Sequence, residues 1–108
     1  MNNNQILSDL SVTLTKAFPG VIVKVLLFGS YAHGGENDNS DFDVLVITRE
    51  VPDWRLENAI INECYMIDLQ YDIVTDVKII AESELDTPKG RQPYIQQALA
   101  QGLLAHDA

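Results

Sequence analysis

Two apolar runs separated by a polar loop constrain the fold of this chain more than any other feature. Residues 21–28 and residues 42–48 are rich in Val, Ile, Leu and Phe, a composition that is typical of buried β-strands. The first run is followed by Gly29, and residues 30–40 are small and polar, as expected of a loop around a single helical turn. The sequence therefore predicts two buried strands joined by a loop.

Three other segments carry apolar residues at spacings of three and four, which predicts amphipathic helices. The first covers residues 6–18, and the second covers residues 54–67 with Asp53 as its N-cap. The last begins near Pro93 and includes Leu103. Each helix has one apolar face, so each is expected to pack against a sheet through that face.

A further β-branched run at residues 73–80 predicts a third strand, whose start lies anywhere from Leu69 onward. The order helix, strand, strand, helix, strand, helix predicts an α/β (α+β) fold, in which helices pack on a small mixed sheet of three or four strands. The 108 residues fit a single domain that spans residues 1–108.

Charge and composition exclude several classes of function. The chain has 7 basic and 16 acidic residues and a formal net charge of −9, and its scattered cations match neither a nucleic acid nor an anionic membrane. No segment approaches the roughly 20 apolar residues needed to cross a bilayer. There is no signal-peptide pattern, and the single Cys64 cannot form an internal disulfide. We therefore expect a cytoplasmic protein that binds neither membranes nor nucleic acid.

The ends of the polar loop carry residues suited to phosphate binding. Gly29-Ser30 follows the first strand, where a glycine lets the backbone approach a bulky anion and a serine offers an N–H group and a hydroxyl to phosphate oxygens. If Ser30 opens a short helical turn, the free N–H groups of that turn point at the same anion. These two residues predict a phosphate-binding loop.

Ten residues after Ser30, the pair Asp41 and Asp43 begins the second strand. Residues two apart on a strand lie on the same face. Two carboxylates about 4 Å apart repel by roughly 4 kcal/mol at an effective dielectric of 20, and a shared cation removes that penalty. Mg²⁺ fits best, because it prefers a few carboxylates together with phosphate oxygens and water. The pair and the loop together predict a site for a metal-bound nucleoside triphosphate.

Two stretches, FGSYAHG at residues 28–34 and SDFDVLV at residues 40–46, resemble the signature of the DNA polymerase beta superfamily of nucleotidyltransferases. The chain is most similar to the minimal prokaryotic branch of that superfamily, the MNT type. Residues 75–80 resemble the strand that bears the third carboxylate of the family, and residues 95–104 resemble its closing helix. The resemblance covers nearly the whole chain and implies the polymerase beta-like nucleotidyltransferase fold.

The resemblance also implies roles for individual residues. Gly29 and Ser30 would hold the triphosphate, and Asp41 and Asp43 would bind Mg²⁺. A third Asp would bind metal and help to deprotonate the attacking hydroxyl group. These roles are carried over from the family and do not follow from the spacing alone.

Asp76 and Asp72 compete for the role of the third carboxylate. They are four residues apart, so both would face the same side of an extended strand. We prefer Asp76, because it lies farther inside the apolar run, where an unpaired carboxylate is costly. Its neighbours also match the family better.

At the positions of Tyr31 and His33 the family often carries Arg or Lys, where a cation meets the triphosphate. His33 has an ordinary pKa of about 6.5 and is only partly protonated at neutral pH, although an adjacent phosphate would raise that pKa. A neutral His33 can still donate a hydrogen bond. Two interpretations stay open, in which His33 either binds the nucleotide or closes a helical turn at Gly34.

The resemblance implies an enzyme that transfers a nucleoside monophosphate, most simply AMP from ATP, to a hydroxyl group with the help of two Mg²⁺ ions. Many minimal members are antitoxins that modify a tyrosine hydroxyl of a HEPN-type toxin, which implies such a toxin as the protein partner. An acidic chain suits a more basic partner. Two alternatives stay open: a non-catalytic module of the same fold that binds the partner, and a transferase that acts on a small molecule.

The remaining conspicuous side chains favour structural roles. Trp54 is predicted to anchor the core, and Cys64 to be a small buried hydrophobic residue. Lys89 and Arg91 are expected on the solvated surface, and His106 in a frayed tail.

Overall fold

The computed structural model describes residues 3–28 and 42–107. In chain order, the elements are α1 (Asn3–Ala17), β1 (Ile22–Phe28), β2 (Phe42–Thr48), α2 (Trp54–Tyr71), β3 (Thr75–Ala81), a short 3-10 helix (Glu82–Glu84), α3 (Pro93–Gln101) and β4 (Leu103–Asp107). The three predicted helices and three predicted strands are all present. Within the described ranges, no helix is long and apolar enough to span a membrane.

The four strands form one mixed sheet in the order β3-β2-β1-β4. β1 pairs antiparallel with both β2 and β4, whereas β2 pairs parallel with β3. A parallel pair needs a crossover connection, and α2 supplies it. The predicted small mixed sheet of three or four strands with packed helices is confirmed.

Two hydrophobic clusters occupy the two faces of the sheet. α1 and α2 cover one face, and this larger cluster contains Leu10, Leu14, Ile60 and Cys64. α3 packs against the other face, where Ile95 and Ala98 contact the apolar side chains of the central strands. Alternate residues of β2 enter opposite clusters, and β1 follows the same alternation from Val25 to Phe28, after a register shift between Ile22 and Lys24. In β2 this alternation decides which face of the sheet a polar side chain occupies.

Capping residues at both ends fix the length of α2. Asp53 is the N-cap, as predicted, and its side chain accepts a hydrogen bond from the Leu56 N–H at 2.8 Å. The helix continues to Tyr71 and ends at Asp72, which adopts the left-handed conformation with φ of 55°. The Tyr71 hydroxyl donates to Asp9 on α1, which ties the two helices together and raises the pKa of Tyr71.

Trp54 and the C-terminal segment depart from the sequence-based predictions. Trp54 is 67% exposed, with the Arg55 guanidinium 5.3 Å from its ring centroid, because it lies off the helix face that buries Ile60 and Cys64. Leu103 does not extend the last helix, and His106 is not in a frayed tail. Both residues belong to β4, which pairs with β1. Cys64 is buried, as predicted.

Candidate active site

Asp43 lies at the second position of β2, in the middle of the sheet. Its neighbours along the strand, Phe42 and Val44, are fully buried in the cluster under α1 and α2. Alternation along the strand therefore directs Asp43 to the opposite face, where α3 packs. Across the sheet, Asp43 is in register with Phe28 at the end of β1.

Asp76 stands beside Asp43 on the next strand. The parallel register of β2 and β3 pairs these two residues directly, and neighbouring strands are about 4.8 Å apart. Val77 and Ile79 pack on the face under α1 and α2, so Asp76 shares the α3 face with Asp43. The fold thus brings two carboxylates that are 33 positions apart in sequence next to each other.

Asp72 occupies a different environment. The expectation that Asp72 and Asp76 share one side of an extended strand is wrong, because β3 begins only at Thr75. Asp72 caps the C-terminus of α2, and its backbone N–H donates to the Asp68 carbonyl. Of the two candidates, Asp76 is therefore the one in the strand ladder beside Asp43.

Lys78 supplies a positive charge at this end of the sheet. Its Nζ lies 3.2 Å from Oδ1 of Asp76 and 5.8 Å from the ring centroid of Tyr94 on α3. Both partners of the ion pair are about two-fifths exposed, so water screens their attraction. Lys78 belongs to no sequence motif, although its spacing of two from Asp76 on a strand places both side chains on one face.

Four predicted site residues, Gly29, Ser30, His33 and Asp41, lie outside the described residues. The described chain ends at Phe28 on one side of this segment and resumes at Phe42 on the other. Phe28 is in register with Asp43, which directly follows Phe42. Phe28 and Phe42, the described residues that flank this segment, therefore both lie at the end of the sheet where Asp43 lies.

The carboxylates at this end of the sheet suit a hard cation. Asp43 and Asp76 carry carboxylate oxygens, which are ligands that Mg²⁺ prefers, and both side chains are half-buried. Among the residues that the structure describes, no group of three or more His, Cys, Asp or Glu side chains gathers as a metal site. The two described carboxylates, Asp43 and Asp76, would thus supply only part of the ligands of a Mg²⁺ ion.

The family model for "Polymerase beta, Nucleotidyltransferase" matches residues 12–97 of the chain. This protein belongs to the polymerase beta nucleotidyltransferase family. The matched range includes both Asp43 and Asp76. The polymerase beta-like fold that the sequence resemblance implied is thereby confirmed for this nucleotidyltransferase domain.

Two curated relatives come from Methanocaldococcus jannaschii. The protein named "Putative protein adenylyltransferase MJ0141" is 31% identical over 70 residues, covering 65% of this chain and 71% of the relative. The protein named "Putative protein adenylyltransferase MJ0604" is 28% identical over 102 residues, covering 94% of this chain and 96% of the relative. This nucleotidyltransferase domain is therefore similar in length and sequence to proteins named as adenylyltransferases.

Solved structures with the same fold include chains from toxin–antitoxin complexes. A toxin–antitoxin crystallised with AMP-PNP matches with a TM-score of 0.64 and 22% identity, covering 99% of this chain and 75% of the other. A complex of a tri-AMPylated Shewanella oneidensis HEPN toxin with an MNT antitoxin matches with a TM-score of 0.57 and 19% identity, covering 97% and 73%. At these identities the matches establish the shared fold.

Proposed function

We propose that this nucleotidyltransferase domain transfers AMP from ATP to a hydroxyl group on a partner protein, and that the partner is a HEPN-type toxin for which the domain is the antitoxin. The observation that carries the proposal is the direct register of Asp43 with Asp76 in a member of this family. The names of the two curated relatives support transfer of AMP. The complex of a tri-AMPylated HEPN toxin with an MNT antitoxin supports the choice of partner.

Asp41, Asp43 and Asp76 are the residues that would hold Mg²⁺ in this proposal. When bound, Mg²⁺ neutralises the negative charge that develops on the phosphate oxygens and on the leaving group. Gly29 and Ser30 would hold the triphosphate through backbone N–H groups and the serine hydroxyl. His33 would add a hydrogen bond to the same phosphates.

Asp76 has a second task, which is to accept the proton of the attacking hydroxyl. The oxygen of the acceptor forms a bond to the α-phosphorus of ATP while the bond from that phosphorus to the bridging oxygen breaks, and pyrophosphate leaves. The proton from the acceptor passes to a carboxylate oxygen of Asp76, which acts as general base. Lys78, 3.2 Å from the same carboxylate, helps to orient it before the substrates bind.

The reducing cytoplasm suits the proposed reaction, which consumes ATP. It also suits the free, buried thiol of Cys64. We place the proposed reaction in that compartment.

The proposal is tested by incubating the chain with ATP labelled on the α-phosphate, Mg²⁺, and the purified product of the neighbouring gene. We expect label on that product, with a mass increase of one AMP per modified hydroxyl. Chelation of the metal should abolish the transfer. Asp43→Asn should abolish it as well, whereas Asp86→Asn, at an exposed loop aspartate, should leave it unchanged.

Other outcomes of the same experiment identify the alternatives. A stable complex without transfer, under conditions in which ATP and Mg²⁺ both bind, would identify a non-catalytic binding module. Label on a small molecule instead of the protein would identify a small-molecule transferase. Transfer that survives Asp43→Asn would contradict the assignment of the site.

A further inference from the structure

Helix α2 exposes several large apolar side chains on the side that faces away from the sheet, interrupted by the exposed Asn58 and Asn62. This set, here called the α2 stripe, consists of Trp54, Ile61, Tyr65, Met66 and Leu69. Their exposed fractions range from 44% for Ile61 to 67% for Trp54. Spacings of seven and four residues align most of them along one line of the helix, about 22 Å long.

The α2 stripe is separate from the part of the helix that stabilises the fold. Ile60, Cys64 and Ile67 form the buried face of α2 and pack into the larger cluster. The outward face of a surface helix normally carries charged and polar residues. The outward face of α2 instead combines these five large apolar side chains with the uncharged Asn58 and Asn62, a composition typical of a surface that another protein covers.

A cleft extends the apolar surface at the N-terminal end of α2. It has a volume of about 510 Å³ and is lined by Gly20, Val21, residues 49–53 and Leu56. Val51 lies in this lining and is 63% exposed, three positions before Trp54. The cleft therefore lies near the N-terminal end of the α2 stripe and offers a depression for a side chain of the partner.

Charges around the α2 stripe restrict the partner. Residues 49–72 contain six carboxylates and two arginines. Glu57 and Asp68 are half-buried on α2 itself. A second copy of this chain, with a net charge of −9, would bring like charges against this acidic rim. Complementarity instead requires Lys or Arg beside the apolar face of the partner.

The C-terminal end of the α2 stripe lies at the same end of the sheet as the candidate active site, although the two carboxylates face the side on which α3 packs. Beyond Leu69 the chain passes through Val74, which is 62% exposed and whose carbonyl accepts a 2.7 Å hydrogen bond from the Phe42 N–H. Phe42 precedes Asp43, and Val74 lies two residues before Asp76. A protein that lies along α2 therefore reaches the end of the sheet at which Asp43 and Asp76 lie, and it must extend around that end to meet the carboxylates on the α3 face.

We propose that the α2 stripe is the docking surface for the protein that supplies the acceptor hydroxyl, and that the docked segment is an amphipathic helix flanked by Lys and Arg. The helical form follows from the straight line of apolar contacts, which suits the apolar seam of another helix. This inference rests on the proposed function, since it identifies the surface by which the acceptor is presented to the site.

The test measures the affinity of the product of the neighbouring gene for variants of the full chain, without ATP. We expect Tyr65→Ser and Leu69→Ser each to weaken binding by at least about tenfold. Val12→Ser on α1 and Leu99→Ser on α3 are matched controls, because these residues are 46% and 40% exposed but lie on other helices. Urea unfolding of each variant checks that the fold is retained.

Several outcomes would overturn the inference. The first is a double variant, Tyr65→Ser with Leu69→Ser, that binds the product of the neighbouring gene with unchanged affinity. The second is an equal loss of affinity in the two control variants. The third is the absence of any binding to the unmodified chain. Salt screens the attraction between opposite charges, so a basic partner should bind more weakly as the salt concentration rises. An affinity that rises with salt concentration would show that the partner is not basic. Self-association of the free chain that is lost in Tyr65→Ser would show a second copy to be the occupant. Binding is measured without ATP, so it does not depend on AMP transfer. A chain that binds through the α2 stripe but transfers no AMP would overturn the proposed function and leave the docking surface established.

Discussion

The sharpest test of the site is the comparison of Asp76→Asn with Asp72→Asn. If Asp76 accepts the proton of the attacking hydroxyl, its amide variant should lower kcat by about 10² to 10⁴-fold, the range for loss of a general base. That range corresponds to about 2.7 to 5.4 kcal/mol of transition-state stabilisation. The KM for ATP should change much less, because Asp41 and Asp43 remain to bind the metal-bound nucleotide.

The effect of Asp76→Asn on stability can be worked out from the neighbours of Asp76. Loss of the ion pair with Lys78 costs at most about 1 kcal/mol, since both groups are about two-fifths exposed. Removal of the Asp76 charge also removes its repulsion from the Asp43 carboxylate on the adjacent strand, which opposes this cost. The two changes have opposite signs, so the free energy of unfolding should fall by no more than about 1 kcal/mol. A large loss of turnover in Asp76→Asn would therefore reflect a loss of catalysis and not unfolding of the protein.

Asp72→Asn is the matched control, because it makes the same chemical change four positions away. Asp72 holds a φ of 55°, a conformation that Asn adopts readily. The variant should keep the helix cap and the turnover of the unmodified chain. Single-turnover transfer of labelled AMP and urea unfolding measure the two effects. Turnover close to that of the unmodified chain in Asp76→Asn, or a greater loss in Asp72→Asn, would refute the reasoning.

Three further predictions concern the elements that support the site. Burial raises the pKa of Cys64 from 9.0 to about 12, so the native thiol should resist Ellman's reagent until the protein unfolds. For the same reason the Cys64 thiol should contribute a fall in stability of about 1.4 kcal/mol per pH unit as pH rises between these two values, and Cys64→Ala should remove that contribution. Asp53→Ala should lower the free energy of unfolding by about 1 kcal/mol in urea titrations, through loss of the N-cap. Asp68→Ala, which removes the acceptor of the Thr75 N–H, should lower both stability and AMP transfer, whereas Asp68→Asn, which keeps an acceptor oxygen, should retain most of each.

Strong local signals account for the parts of the fold that could be predicted from sequence. The apolar run of β2 agrees with the observed strand at both ends, Phe42 and Thr48, because charged residues flank it. The N-cap of α2 at Asp53 was predictable because an Asp precedes a helical pattern of apolar residues. The ends of β2 and the N-cap of α2 each depend on a few residues that are neighbours in the sequence, so the sequence alone is enough to predict them.

Tertiary contacts decide the parts that local patterns could not reach. β4 has only five residues, and it becomes a strand because the open edge of β1 provides a pairing partner. Gly102 could have marked the end of α3 in the sequence, because glycine is common just after a helix. In the structure, a Cβ at this position would clash with the Ala98 carbonyl oxygen. The exposure of Trp54 was not predictable, because an apolar residue at the start of a helix fits either the core or an uncovered surface.

The pairing of Asp43 with Asp76 depends on the register of β3, and the connection from α2 sets that register. The carbonyl of Asp68 accepts the backbone N–H groups of Asp72 and Ile73, while its carboxylate accepts the Thr75 N–H at 3.1 Å. A slip of one residue would turn every β3 side chain to the other face of the sheet. It would also bring Thr75 or Val77 beside Asp43. The acidic pair is therefore a product of how α2 ends, and a search for carboxylates close in sequence could not locate its second member.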